Sequence, residues 1–350
     1  MKLERSVARK HLRFAAPFAN AHQRWEERET LALTLTDERG FSAQGEAAPL
    51  PGFSRDTLAE AERGLLEFPL ELAAAIVERS VSDPSCTLRE LESCAAIASP
   101  AARFAFESAL VELIAARSGA MPSDLLGGPS SSSPSALPLA RLVDVAHAEE
   151  EVAAALTTGF TTIKLKLGTT LGFARELELI ARVRARFGSA WGLRLDANQS
   201  FPRDEALSRL RALLPFDPEF VEEPTRPDET PTEASPVPIA LDESLTSPAF
   251  LVPSALLARN VRVLVLKPTL LGGIAVTRAF VERARAVGLD WVLSHTFESA
   301  LGYRALKMLA FALPPSRLAH GLGPHAALDE PAAALGVRAG KLWFARAEAP

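Results

Sequence analysis

The run TTIKLKLG, Thr161–Gly168, sets Lys164 and Lys166 two residues apart inside a segment that otherwise reads as a buried strand. Strand side chains alternate with period two, so both ammonium groups project from one face while Ile163, Leu165 and Leu167 occupy the other. Like charges that close repel. A solvated edge strand accommodates them without cost, so the surrounding chain decides whether the pair is a surface feature or a site. Working outward, apolar strands recur: PLARLVDV, TTIKLKLG, WGLRLDAN, EFVEEP, PIALDES, VRVLVLKP and LDWVLSH. Helical stretches separate them, roughly 20 to 30 residues from one strand to the next, which is the period of βα units and a parallel sheet. Seven such units favour an α/β barrel. A doubly wound open sheet is the alternative, disfavoured because no G-x-G-x-x-G opens a helix after the first strand.

Polar residues fall in or at the C-terminal ends of these strands in order: Lys166, Asp196, Glu222, Asp242, Lys267 and Ser294. A parallel barrel builds its active site at that end. Asp196, Glu222 and Asp242 come from consecutive strands with apolar walls, and buried acids without partners must protonate or bind a cation. Oxygen donors suit Mg²⁺, a hard ion that keeps positions open for substrate oxygens. The histidines show no H-x-H or H-x-x-x-H pairing, which argues against zinc. The lysine pair then acquires a role. A lysine acts as a general base only when neutral, and bringing its pKa from ~10.4 toward ~7 takes about 4 to 5 kcal/mol. A second ammonium at ~4 Å contributes about 4 kcal/mol at an effective dielectric of ~20. The expectation is that Lys164 keeps Lys166 deprotonated enough to accept a proton. An edge strand leaves the neighbouring acids unexplained.

The 350-residue chain is almost half apolar, with a net charge of -5 and a pI near 5.8. That length suits about two domains. It offers no basic footprint for nucleic acid or an anionic membrane, which favours a small-molecule role. Cys86 and Cys94 have neither metal-ligand spacing nor partners for a disulfide framework. Arg13 and Pro17 interrupt the apolar part of the basic start, and no run is long enough to span a bilayer. A soluble cytoplasmic protein is expected. Before about Gly128, TLALTLTDERGFSAQGEAAP alternates around DERG as a hairpin does, and RDTLAEAERGLLEF carries helical spacing. ASPAARFAFESALVELIAARSG is helical too, with Ser99 and Pro100 as start signals and Gly119 as a stop. This portion is an α+β unit. Gly127 to Pro138, GGPSSSSPSALP, reads as a linker.

Taken in order, KLKLG, LRLDAN, VEEP, LDES and VLKPTLLGG resemble the enolase superfamily, muconate-lactonizing subgroup. That superfamily works with a lysine or histidine base and one or two Mg²⁺ ions. The resemblance covers nearly the whole chain. It implies a (β/α)7β TIM-like barrel over 129–324 and an α+β capping domain over 1–128, with 325–350 packing back on the cap. It also implies Asp196, Glu222 and Asp242 as ligands of Mg²⁺, which Mn²⁺ can replace, Lys164 and Lys166 as the K-x-K pair, and Lys267 as the lysine on the opposite face.

GEAAPLPGFSRDT, LRLDANQSF, VRVLVLKPTLLGG and SHTFESALG resemble one family within the subgroup, the o-succinylbenzoate synthases; HGLG, His320 to Gly323, is similar too. That implies a lyase of menaquinone biosynthesis, acting by proton abstraction and a metal-stabilised enediolate on a small-molecule carboxylate. The loops Pro17 to His22 and Pro49 to Ser54, including Gly52 and Phe53, are then expected over the barrel mouth, although a Pro/Gly surface turn reads the same way. Ser294 and Ser299 are candidates for the substrate's second carboxylate, a helix cap being equally compatible with either. Arg194, Asn198 and Glu243 are expected to support the ligands. His295, Thr296 and Phe297 stand where many such synthases have a serine-rich run. The alternatives are an N-succinylamino acid racemase or dipeptide epimerase using Lys166 and Lys267 as opposed bases, and a metal-free Schiff-base aldolase, which leaves three acids unused. A non-catalytic binding barrel has no use for the lysine pair.

Overall fold

The computed structural model describes residues 1–19, 24–128, 136–229, 233–246 and 253–344. At the N-terminus, β1 (Leu3–Ala19), β2 (Arg24–Asp37) and β3 (Ser42–Ala47) form an antiparallel sheet in that order. The DERG turn joins β2 to β3. Asp37 Oδ1 accepts the N–H groups of Arg39 and Phe41, and Gly40 takes φ +84°, a conformation that costs glycine nothing. Against this sheet lies the helix Pro100–Ser118, capped by Ser99 and ended by Gly119 in the left-handed region, as its boundary residues predict. Gly45 sets the contact: a Cβ there would sit 1.9 Å from the carbonyl oxygen of Ala105. Thr57 and Glu60 form a capping box on the helix Leu58–Glu67.

The strand β4 (Ala136–Pro138) leads into seven parallel strands: β5 (Ala140–Val143), β6 (Thr162–Lys166), β7 (Gly192–Asp196), β8 (Phe220–Glu222), β9 (Ile239–Leu241), β10 (Val261–Leu266) and β11 (Asp290–Leu293). They pair in sequence order, and each falls within one of the apolar runs read from the sequence. An eighth position closes the sheet. His320 pairs with Leu139 and Gly321 with Ser294, with Ala140 N–H donating to His320 O (2.9 Å) and Gly321 N–H to Leu293 O (2.7 Å). The short segment therefore bridges β5 and β11, giving the (β/α)7β barrel. β6 lies inside the sheet between β5 and β7, so the edge-strand explanation of its lysines does not hold. Ile163, Leu165, Leu193 and Leu195 are buried in the outer layer toward the helices.

The C-terminal segment divides between cap and barrel. Ala326 accepts the N–H of Ala15 and Ala327 joins a cluster with Phe14, Trp25 and Leu50, so this part touches the cap. β12 (Val337–Arg338) pairs with β13 (Lys341–Trp343), and β13 with β4 at the barrel, because Leu137 and Leu342 bury each other's apolar surface across the ladder. Most of the expected linker and residues 20–22 of the Pro17 to His22 loop lie outside the described residues. Cys86 and Cys94 are free and buried. Among the described residues no helix is long and apolar enough to cross a membrane.

Candidate active site

The C-terminal ends of the barrel strands open into a cavity of about 240 Å³, covered on one side by Leu50 and Phe53 of the cap. The ladder places its chemistry. Lys166 pairs with Asp196 across β6 and β7, and Asp196 with Glu222 across β7 and β8. Asp242 follows β9 and Lys267 follows β10. Lys164 Nζ lies 2.9 Å from Asp196 Oδ2 and 2.7 and 2.8 Å from the two oxygens of Glu222. Lys267 Nζ is bonded to Asp242 and stands 4.8 Å from the centre of the Phe53 ring. Asn198 gives both its backbone and side-chain N–H to Asp196 Oδ1 at 3.1 Å.

The backbone at this end is unusual. Asn198, Gln199, Glu223 and Phe297 all have positive φ directly after β7, β8 and β11, and such conformations persist only where surroundings enforce them. Glu223 supplies some of that enforcement. It accepts the N–H groups of Asp242 and Ser244 and the Ser244 hydroxyl, each at 2.8 Å, which fixes the loop carrying Asp242 and Glu243. Its signal was the doublet in VEEP: at a strand end one acid points into the barrel and its neighbour toward the next loop.

Charge in the cavity is unevenly compensated. Burial raises Asp242 to about 6, aided by Glu243 and opposed by Lys267; it raises Glu243 to about 7, again against Lys267. Burial also raises Glu222, because Lys164, its ammonium partner, is shared with Asp196 and because Asp196 and Asp242 add repulsion. Asp196 goes the other way: burial disfavours its charge, but Lys164 and Lys166 together hold its pKa down. Burial would lower Lys164, yet Asp196, Glu222 and Asp242 outweigh it and raise its pKa, and Lys267 is raised in the same way by Asp242 and Glu243. Lys166 alone of the three is lowered. Its foremost cause is burial, opposed by Asp196 and reinforced by Lys164 and Lys267. The expected origin of its basicity therefore needs correction: Lys164 is neutralised by two carboxylates, and desolvation rather than ammonium repulsion is the main effect.

These residues fit a divalent cation by donor chemistry. All the donors are carboxylate oxygens, brought together at the ends of the consecutive strands β7, β8 and β9, the hard donor set that suits such an ion. As placed, the lysines stand between the acids, and among the described residues no three His, Cys, Asp or Glu groups form a ready-made cage.

Other expected residues separate. Phe53 and Ser294 line the cavity, whereas Gly52 is an exposed turn residue with φ +79°. Ser299 is a helix cap: fully buried, it accepts the N–H of Leu301, and Glu46 from the cap takes the N–H groups of Ser299 and Gly302. Arg194 lies one layer deeper than Asp196, two residues back along the strand. Its guanidinium bonds Glu219 (2.7 Å) and the carbonyl of Ala319 (2.6 Å) over the Phe220 ring, so it braces the cavity floor instead of orienting Asp196. Glu243 lines the cavity beside Asp242.

The sequence marked His295, Thr296 and Phe297 of the second wall as a departure from the serine-rich run of the synthases, but gave no sign of Arg28 or His325 beside them. His295, Phe297 and His325 face the cavity, and Arg28 of β2, buried, donates to the carbonyls of Thr296, Phe297 and Ala48. Glu298 accepts from Thr269, 2.6 Å, and from the Thr296 amide and hydroxyl. Alternation in a long amphipathic strand gives no sign that Arg28 points inward at its far partner.

A sequence model described as "Enolase C-terminal domain-like" matches residues 147–340. An o-succinylbenzoate synthase from Desulfotalea psychrophila is 30% identical to this chain, covering 92% of it and 93% of that protein. An L-Ala-D/L-Glu epimerase from Bacillus subtilis is 29% identical, covering 83% and 79%. The crystal structure of MenC from Desulfotalea psychrophila superposes with a TM-score of 0.77 at 26% identity, over 98% of this chain and 99% of that one.

Proposed function

Because this chain belongs to the enolase superfamily, we propose that it is an o-succinylbenzoate synthase: a lyase that dehydrates 2-succinyl-6-hydroxy-2,4-cyclohexadiene-1-carboxylate in menaquinone biosynthesis. The observation that carries this reading is the unequal setting of two opposed lysines. β6 and β10 are four positions apart in a closed ring of eight, so Lys166 and Lys267 approach the cavity from opposite sides. Lys267 is tied to Asp242 and lies over Phe53, a fixed cation. Lys166 is the lysine whose surroundings favour the neutral form. Dehydration needs one base on one face, whereas racemisation needs two that exchange roles.

Asp196, Glu222 and Asp242 would hold Mg²⁺, or Mn²⁺ in its place, which when bound supplies Lewis-acid stabilisation of the charge developing at the substrate carboxylate. Lys166 Nζ takes the proton adjacent to that carboxylate and returns it to the departing hydroxyl, so that water leaves and the ring becomes aromatic. Lys267 offsets negative charge from across the ring. Asn198 fixes the orientation of Asp196, Glu223 that of Asp242, and Phe53 and Leu50 shut water out from above.

The second reading is an epimerase acting on N-acylated or dipeptide substrates, favoured by the Bacillus subtilis relative and the opposed lysines. Measuring kcat/KM for the cyclohexadiene carboxylate and for N-succinylamino acids, with deuterium exchange from D₂O for each enantiomer, separates the two. Efficient interconversion of enantiomers without turnover of the diene replaces the synthase reading, and full activity in excess EDTA removes the metal.

A further inference from the structure

The wall opposite the carboxylates holds an arrangement that this chemistry has not used. His295, after β11, and His325, after the closing segment, stack with ring centres 4.1 Å apart, and Phe297 meets both edge to face at 4.9 and 5.5 Å. His295 Nδ1 accepts the N–H of Phe297, 3.3 Å, which places its proton on Nε2. Both ring nitrogens of His325 are shielded from solvent and, among the described residues, lack a hydrogen-bond partner. A buried imidazole with neither nitrogen bonded is costly unless a ligand completes it. Burial disfavours the charged form of both rings, reinforced by His325, Lys267, Lys164 and Lys166 at His295 and by Arg28 at His325, so both imidazoles stay neutral. Two neutral N–H donors that own no counter-ion suit an anion.

We propose that His295 and His325 form the subsite for the substrate's second carboxylate, the one remote from the proton that Lys166 removes, each imidazole donating one N–H to it. This rests on the reading of the cavity as the site of a dicarboxylate. The subsite takes the role the sequence had offered to Ser299, which is locked in its helix cap. Ser294, whose hydroxyl faces Gly321 O at a weak 3.4 Å, lies beside it. The inference makes the pair determinants of specificity, not participants in proton transfer.

The test compares o-succinylbenzoate with its side-chain monoamide by calorimetry in the presence of Mg²⁺, for the unaltered enzyme and for His325→Leu, His325→Gln and His295→Leu. The unaltered enzyme should prefer the acid by about ten- to a hundredfold, the range of a hydrogen bond to a charged group. His325→Leu and His295→Leu should each lose most of that preference, and His325→Gln, which keeps a donor, should retain part of it. Circular dichroism checks each fold; should one leucine variant not fold, the other and His325→Gln read the same ratio. No preference in the unaltered enzyme, or a full preference in the folded variants, overturns the proposal. If the preference depends on the histidines but the diene is not turned over, the subsite stands and the synthase reading fails. If the diene is turned over but the preference is indifferent to the histidines, the synthase reading stands and the subsite fails.

Discussion

The two walls of the cavity are built on opposite principles. Strands β6 to β10 contribute a wall of ions, in which burial works against every charge and lysines and carboxylates oppose or reinforce it in one another. The wall made by β11, the closing segment and the cap is held by aromatic edges and by hydrogen bonds to backbone, with Arg28 spent on carbonyls and Glu46 and Glu298 on N–H and hydroxyl groups. The contrast teaches that reactivity and recognition need different electrostatics. A proton-transferring group needs competing charges close by, whereas a group that recognises a carboxylate needs donors that do not already own a counter-ion.

Replacement of Lys166 by Ala should break the ionic wall most severely. The expected loss is about 10²- to 10⁴-fold in the rate of α-proton exchange, the range of general-base catalysis, measured by deuterium incorporation. Retention of exchange would move the base elsewhere. Asn198→Ala acts one step removed, since the side-chain donor it removes helps to orient Asp196. Metal affinity, titrated through activity and calorimetry, should fall about 10- to 100-fold, while an unchanged affinity would make Asn198 a spectator.

Arg28→Met tests the other wall. It leaves three buried carbonyls without their donor and Glu46 and Glu298 without their cation, so unfolding in denaturant should lose about 3 to 5 kcal/mol. Substrate KM should rise with little change in kcat, because His295 and Phe297 lose their anchor. A stability loss below about 1 kcal/mol would show that the carbonyls find water instead.

The smallest effect concerns pH. Lys166 must be neutral to accept a proton and its pKa is lowered, so kcat/KM rises as pH passes up through that lowered value. In Lys164→Met one positive neighbour is gone and Asp196 is freed to attract Lys166, so the midpoint moves up. Burial remains the leading cause, and the displacement is modest. A midpoint that stays fixed or falls contradicts the assignment of causes.

How legible the molecule was follows the same division. The ionic wall could be read because period-two alternation in a parallel barrel sends chemically expressive residues inward at predictable positions; Lys164, Lys166, Asp196 and Glu222 fall on one ladder for that reason. The mechanism of the lysine shift was misjudged because distance to Lys164 was visible in the sequence and burial, with the pairing of Lys164 to two acids, was not. The second wall comes from loops and from segments hundreds of residues apart. Arg28 and Phe297 meet across 269 positions, and no local period encodes such a contact. Ser299 illustrates the ambiguity at its sharpest: a serine before an apolar helical stretch is a cap or a ligand according to which way the helix enters. The closing segment, 319–321, was too short to register as a strand at all.

That short closure has a consequence for biogenesis. Every acid and lysine of the ionic wall precedes residue 268, yet even a nascent chain that has gone on to complete β11 still has β5 and β11 as open edges, joined by nothing until His320 and Gly321 arrive. The same late stretch delivers His325, and Ala326 seats against the cap. Emergence from the ribosome therefore sets an order: the reactive groups come first, and sealing, ligand recognition and cap docking come together at the end. A chain terminated after Ser316 should show two unprotected sheet edges to proteases and to other nascent chains, and pulse proteolysis of such a truncation, against the full chain, measures how much of the barrel's persistence is supplied by its last strand.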